Sequence, residues 1–144
     1  MKTKKFWKNI AKHVYTTLGP GHAEAIYRDA MSVELQDEGY RVKTEAPVSI
    51  KYKTKKGNEM IVGGGRIDLY VSKGKQYAVV ELKASGSLLG NTEDKNKPVK
   101  KEEDLKEYKQ LAKYLQTLGR TDTGVLINFP WPPTDEPEVI MYKK

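Results

Sequence analysis

The 144-residue chain contains no cysteine and only two histidines, His13 and His22. Without cysteine there is no disulfide scaffold, no thiolate-ligated zinc and no cysteine nucleophile. Two histidines exclude a histidine-rich metal site and argue against a serine-hydrolase triad. No apolar run approaches the ~20 residues that span a bilayer. Met1 to Lys8 lacks the apolar stretch of a secretory signal. The expectation is an intracellular protein, cytoplasmic or nuclear, with no membrane partner; the missing cysteine fits a reducing compartment. Its length predicts a single domain over residues 1–144, large enough for its own core. Any chemistry then rests on carboxylates, lysines and a hard cation.

What is present is positive charge, +7 overall. Residues 1–20 hold five lysines and no acid, residues 61–84 hold four bases and two acids, and the other stretches balance. Lys51, Lys53, Lys55 and Lys56 fall within one predicted hairpin. Such a surface favours polyanions, most often nucleic acid. Solubility alone is the competing explanation.

Hydrophobic spacing predicts the elements. Residues 5–18 place Phe6, Ile10, Val14 and Leu18 on one helical face with Trp7, Ala11 and Tyr15 alongside, and Gly19-Pro20-Gly21 stops the helix. A second helix over about 22–38 is expected to bury Ala23, Ile26, Tyr27, Ala30, Val33 and Leu35, with Gly39 as its C-cap. Strands follow at Pro47–Lys53, Met60–Val71 and Gln76–Ala84, joined by short turns. Gly63-Gly64-Gly65 inside the second strand predicts a bulge or a close approach by another backbone. A polar, lysine-bearing loop at 85–101 is expected to be mobile. A third helix over 102–118, a strand at Thr123–Phe129 and a short strand at Glu138–Tyr142 complete the chain. The order predicts an α/β fold. Its central mixed sheet is a three-strand antiparallel meander plus a strand joined in parallel by the helical crossover, flanked by helices.

Candidate chemistry sits on the third strand. Glu81 and Lys83 alternate onto one face, roughly 7 Å apart, and the turn before this strand can bring Asp68 beside Glu81. Two carboxylates suit a hard divalent cation such as Mg²⁺ or Mn²⁺, with the Leu82 backbone carbonyl as a further ligand and waters completing the shell. Lys83 would orient a water or stabilise a pentavalent transition state. A cross-strand salt bridge on a solvated face is the plainer alternative. Gln110 and Tyr114 share a face of the third helix. Glu24 lies in the first turn of the second helix, where a carboxylate is also favoured electrostatically.

Gly21-His-Ala-Glu24-Ala-Ile-Tyr27 resembles the signature of the GxxExxY proteins, within the PD-(D/E)xK nuclease superfamily. Ile67-Asp68-Leu69 is similar to that superfamily's aspartate strand and Glu81-Leu82-Lys83-Ala84 to its Glu-x-Lys strand. Gln110 to Leu115, then Gly124 to Phe129, looks like its closing helix and strand. The resemblance spans residues 10–129 and implies a restriction-endonuclease-like core. It implies Asp68 and Glu81 as metal ligands and Lys83 as the catalytic lysine. Glu24 would be an added acid that binds the metal through water or orients Lys83, and Gln110 and Tyr114 a pair that touches the site or the scissile strand. His22 stands where the family has an apolar residue and reads as a surface histidine.

The function expected is a metal-dependent nuclease acting on DNA, in repair, recombination or replication, with RNA not excluded as substrate. A non-catalytic nucleic-acid-binding module on the same fold is the alternative. Candidate nucleic-acid contacts are Arg66, Lys51, Lys53, Lys55 and Lys56 and, from the long loop, Lys97, Lys100 and Lys101. Tyr27, Tyr70, Tyr114 and Trp131 are candidates for stacking on bases, although burial is the more common fate of Tyr27 and Tyr114. A homodimer is one arrangement the sequence permits. The basic first helix reads as a core helix with a charged outer face, since it lacks the arginine and serine of a presequence.

Overall fold

The apolar stripe near the start of the chain forms α1, Lys4–Leu18, in the computed structural model, which describes residues 3–90, 101–119 and 123–142. Trp7, Ile10, Ala11, Val14 and Tyr15 are buried along it, while Lys4, Lys5, Lys8 and Lys12 face outward. The helix is therefore amphipathic toward a core. No helix among the described residues is long and apolar enough to cross a membrane. Five buried side chains, at about 1.5–3 kcal/mol for each large apolar one, amount to much of a domain's ~5–15 kcal/mol stability. Deleting residues 1–18 is expected to abolish the cooperative thermal transition; a truncated protein that still melts cooperatively would contradict this packing.

The second helix, α2, spans Glu24–Asp37. Its inward stripe is Tyr27, Met31 and Leu35, at spacing four. Ile26 and Val33, expected in the core, are instead 44% and 60% exposed. They lie seven residues apart on a neighbouring face, which turns outward once Tyr27 faces the sheet.

Five strands follow the predicted order. They are β1 (Arg41–Lys53), β2 (Glu59–Lys73), β3 (Gln76–Lys83), β4 (Thr123–Asn128) and β5 (Glu138–Met141), arranged in the sheet as β1-β2-β3-β4-β5. The first three form the antiparallel meander, β3 and β4 pair in parallel, and β4 and β5 pair antiparallel. β1 begins six residues earlier than predicted, at Arg41. It is an edge strand, so its polar side chains and Pro47 are tolerated there. The glycine triplet carries both expected features. The β1–β2 register shifts beside Gly63, leaving Val62 as the extra residue, and a Cβ on Gly64 would come within 2.9 Å of the Val48 carbonyl.

A 3₁₀ turn at Glu102–Asp104 and an extended Leu105 precede α3, Lys106–Leu118, so the third helix is shorter than its periodicity suggests. α1 and α2 pack on one face of the sheet with Leu69, Val71, Val80, Leu82 and Phe129. α3 packs on the other with Ala46, Val48, Val79, Leu126 and Ile140. The basic outer face of α1 thus lies on the layer opposite α3. Trp7 Nε1–H is the one buried side-chain polar atom without a partner among the described residues.

Candidate active site

β2 and β3 stay paired from Lys73 and Gln76 as far as Leu69 and Val80, and the ladder ends there. At the next step side chains replace backbone. The Asp68 N–H donates to Glu81 Oε1 at 3.2 Å, and the Leu82 N–H donates to Asp68 Oδ2 at 2.7 Å. Each carboxylate caps the opposite strand and holds the fork open, with both acids at its mouth. On the other side of β2, Thr44 pairs with Leu69 and Ala46 with Ile67, and the intervening Glu45 has φ 51°. Its carboxylate holds Arg28 at 3.0 Å and Arg66 at 3.6 Å.

Glu81 is only 7% exposed. Burial, then the neighbouring Asp68, pushes its pKa up to about 8, against the opposing pull of the Asp68 backbone N–H and of Lys83. Glu24 is also raised, by burial and then by Asp68, with Lys83 and Arg28 opposing. Glu24, Asp68, Glu81 and Lys83 therefore share one electrostatic neighbourhood. Lys83 is half-buried and makes no ion pair within 4 Å of any described carboxylate.

Local structure explains the spacing from Gly21 to Tyr27. Gly21 has φ 92°, a conformation that favours glycine, and reverses the chain between α1 and α2. The Tyr27 hydroxyl donates to the Gly19 carbonyl at 2.6 Å and accepts the His22 N–H at 3.3 Å. Its ring stacks on Phe129 at 4.4 Å, buried as a core residue. Glu24, three residues earlier and first in α2, is thereby held toward Asp68. The His22 ring lies 2.9 Å from the Leu18 carbonyl and serves the same turn.

From α3, Gln110 Nε2 donates to the Tyr114 hydroxyl at 2.9 Å. Tyr114 is buried, and burial followed by the charge of Glu81 raises its pKa. The tyrosine reaches this place because position 65 is glycine: a Cβ there would lie 3.1 Å from Tyr114 Cζ and overlap its hydroxyl. Gly65→Ala is expected to displace the ring and cost about 1–3 kcal/mol. Adding Tyr114→Phe should recover part of that loss, a non-additivity measurable by urea unfolding. A Gly65→Ala protein as stable as the wild type would refute the contact.

A sequence profile of the PD-(D/E)XK nuclease superfamily matches residues 2–140. The chain belongs to that superfamily. No curated protein sequence matches it. Membership supports nuclease activity and a nucleic-acid substrate, and PD-(D/E)XK nucleases generally use divalent metals such as Mg²⁺.

Among the described residues, no three His, Cys, Asp or Glu side chains stand close enough to hold a metal ion. The donor set is the Asp68–Glu81 pair, with Glu24 farther off. That set still fits Mg²⁺, which keeps several waters and takes only one or two carboxylates. Glu81, a buried acid whose ionisation burial and the neighbouring Asp68 disfavour, is in an environment a divalent cation relieves. Leu82, whose carbonyl is the third candidate ligand, is fully buried with its N–H on Asp68.

The candidate nucleic-acid contacts of this PD-(D/E)XK chain are not drawn together. Arg66 is exposed and paired with Glu45. Lys51 pairs with Glu59 at 3.6 Å. Lys51 and Lys53 alternate with Ile50 and Tyr52, so they occupy the face of β1 away from α3. Lys55 and Lys56 form the exposed hairpin turn. Lys101 precedes the 3₁₀ turn and borders a cavity of about 520 Å³. Lys97 and Lys100 lie outside the described residues. Within the 85–101 segment, Ser85 to Leu89 are tied down: Asn128 Nδ2 donates to the Gly86 carbonyl at 3.0 Å, and Glu138 accepts the Leu88 and Leu89 N–H groups at 2.8 and 3.1 Å.

Sequence reasoning missed Lys106, Lys109 and Lys113. They line a groove of about 820 Å³ whose lining also includes Lys83, Gln110 and Tyr114. Their three-then-four spacing marks one helix face. Summing charge by segment hid it, because Glu102, Glu103, Asp104 and Glu107 cancel the total.

Proposed function

We propose that the chain is a metal-dependent nuclease that hydrolyses phosphodiester bonds in DNA, in repair, recombination or replication. The observation that carries the reading is the interlocked Asp68–Glu81 pair with Lys83 next along the same strand face. Asp68, Glu81 and the Leu82 carbonyl would hold Mg²⁺ or Mn²⁺. Bound there, the ion supplies Lewis-acid charge that activates water and offsets negative charge on phosphate.

The chain's own residues do the rest. The Lys83 ammonium is free to orient the attacking water or to stabilise charge growing on the phosphate oxygens. Glu24 would bind the metal through water or orient Lys83 toward the fork. Tyr114 accepts the Gln110 amide, which leaves its own O–H to donate to Glu81 or to the scissile strand.

The test is a cleavage screen over duplex, single-stranded and branched DNA and over RNA, with Mg²⁺ or Mn²⁺ and with EDTA. Products from DNA that require the metal are expected. Cleavage of RNA alone would overturn the DNA assignment. Salt-sensitive binding without turnover would establish the non-catalytic module instead.

A further inference from the structure

The groove above Lys83 has two chemically different walls. One is α3, presenting Lys106, Lys109 and Lys113 over roughly 10 Å of helix, with Glu107 as the one acid in the lining. All three are exposed, and none pairs with a carboxylate within 4 Å among the described residues. The other wall is the β1–β2 hairpin, which contributes Ile50 and Gly64. Ile50 follows Ala46 and Val48 on the α3 side of β1 at spacing two, and Tyr52 continues that row. Met60 is the cross-strand partner of Tyr52 and shares its face. Ile50, Tyr52 and Met60 are 40%, 56% and 61% exposed and form an apolar strip on this face, while the neighbouring Ile61 and Val62 are exposed as well.

A mainly cationic wall facing Ile50, with Tyr52 and Met60 continuing the apolar strip beyond the groove, matches one kind of nucleic acid. A single strand carries phosphates along one edge and has free bases along the other. Lysines neutralise the first, and an aromatic or apolar surface stacks against the second. A continuous duplex keeps its bases stacked inside and shows phosphate to both walls, so the Ile50–Tyr52–Met60 strip would desolvate charge without compensation.

We propose that this groove is a track for an unpaired nucleic-acid strand, with phosphates on Lys106, Lys109 and Lys113 and bases against Ile50, Tyr52 and Met60, delivering the strand to Lys83. The inference rests on the nuclease reading and deepens it by naming the substrate as unpaired. It also separates the working lysines from Lys51 and Lys53, which face away.

The test is fluorescence anisotropy on the full chain in EDTA, using a labelled oligonucleotide as a single strand and as a blunt duplex, over a salt series. Cleavage of both forms with Mg²⁺ is run in parallel. The single strand is expected to bind at least about tenfold tighter. Tyr52→Ala should weaken single-strand binding about tenfold with an unchanged salt slope. Lys109→Ala with Lys113→Ala should weaken it and reduce the slope by about 1.4. Lys5→Ala with Lys8→Ala, on the opposite layer, should change neither. Equal binding of both forms, or lysine variants that leave the slope unchanged, would overturn the track. Tight single-strand binding without metal-dependent cleavage would leave the track standing and sink the nuclease reading. Cleavage of duplex with no effect of Tyr52→Ala would do the reverse.

Discussion

Lys83→Ala is expected to lower Mg²⁺-dependent cleavage by about a thousandfold or more, a loss of roughly 4 kcal/mol of transition-state stabilisation, while the protein stays folded. Lys83 is half-buried and makes no close ion pair within 4 Å of a described carboxylate. Its removal therefore breaks no structural contact of that kind. Its charge acts at a distance, on Glu81 and Glu24, both of which it helps to ionise. Lys83→Arg is not expected to rescue the rate, because a planar guanidinium does not place a point charge where a compact ammonium does. Thermal melting and a single-turnover assay decide the matter. Wild-type rates in Lys83→Ala would remove the lysine from the chemistry.

Glu81→Gln should do the opposite to stability and the same to activity. In the metal-free protein, Glu81 holds its proton up to about pH 8, against an ordinary value near 4.5. Between those limits the folded state binds a proton that the unfolded state has released. Stability therefore falls as pH rises through this window, is unaffected below it, and carries the full cost above it. Glutamine keeps an oxygen for the Asp68 N–H and adds a donor for the Asp68 carboxylate, with no charge to bury. At pH 7 without metal, Glu81→Gln should be more stable by about 1–3 kcal/mol, raising Tm by several degrees. The difference should vanish near pH 4.5. Mg²⁺ should stabilise the wild type and leave the variant unmoved, because a ligand that binds only the folded state shifts Tm by mass action. Calorimetry across pH 4.5–8.5 in EDTA is the measurement. A variant no more stable than wild type at pH 8 would show that Glu81 is not strained there.

Much of the fold was legible because its signals are local. The Trp7–Tyr15 stripe, the alternation in the third strand and the Gly63–Gly65 triplet each follow from spacing and sterics over a few residues. The antiparallel meander follows from short turns, and the parallel β3–β4 pair from a helical crossover. Errors arose where tertiary context chooses between similar options. α2 has apolar residues on more than one face, and only docking selects Tyr27, Met31 and Leu35 over Ile26 and Val33. The edge position of β1 makes Arg41–Ala46 a strand despite its polarity.

The candidate site was legible in its carboxylates and not in its groove. Asp68, Glu81 and Lys83 stand on adjacent strands whose pairing a tight turn dictates. That the ladder opens there, with side chains capping backbone, is invisible in the residue order. The lysines of α3 were hidden by nearby acids, of which Glu107 lines the groove with them, and the alternation of β1 turns Lys51 and Lys53 to the other face. The ties from Asn128 and Glu138 to residues 86–89 span about 40 to 50 positions, beyond the reach of any local pattern.

The most direct test of the account is single-turnover cleavage of an end-labelled DNA strand by the wild type and by Asp68→Asn, side by side, with Mg²⁺ and after both are shown to be folded. Cleavage by the wild type that stops in EDTA is expected, and none by Asp68→Asn at any Mg²⁺ concentration. Equal rates in the two proteins, or cleavage by the wild type that survives EDTA, would contradict it.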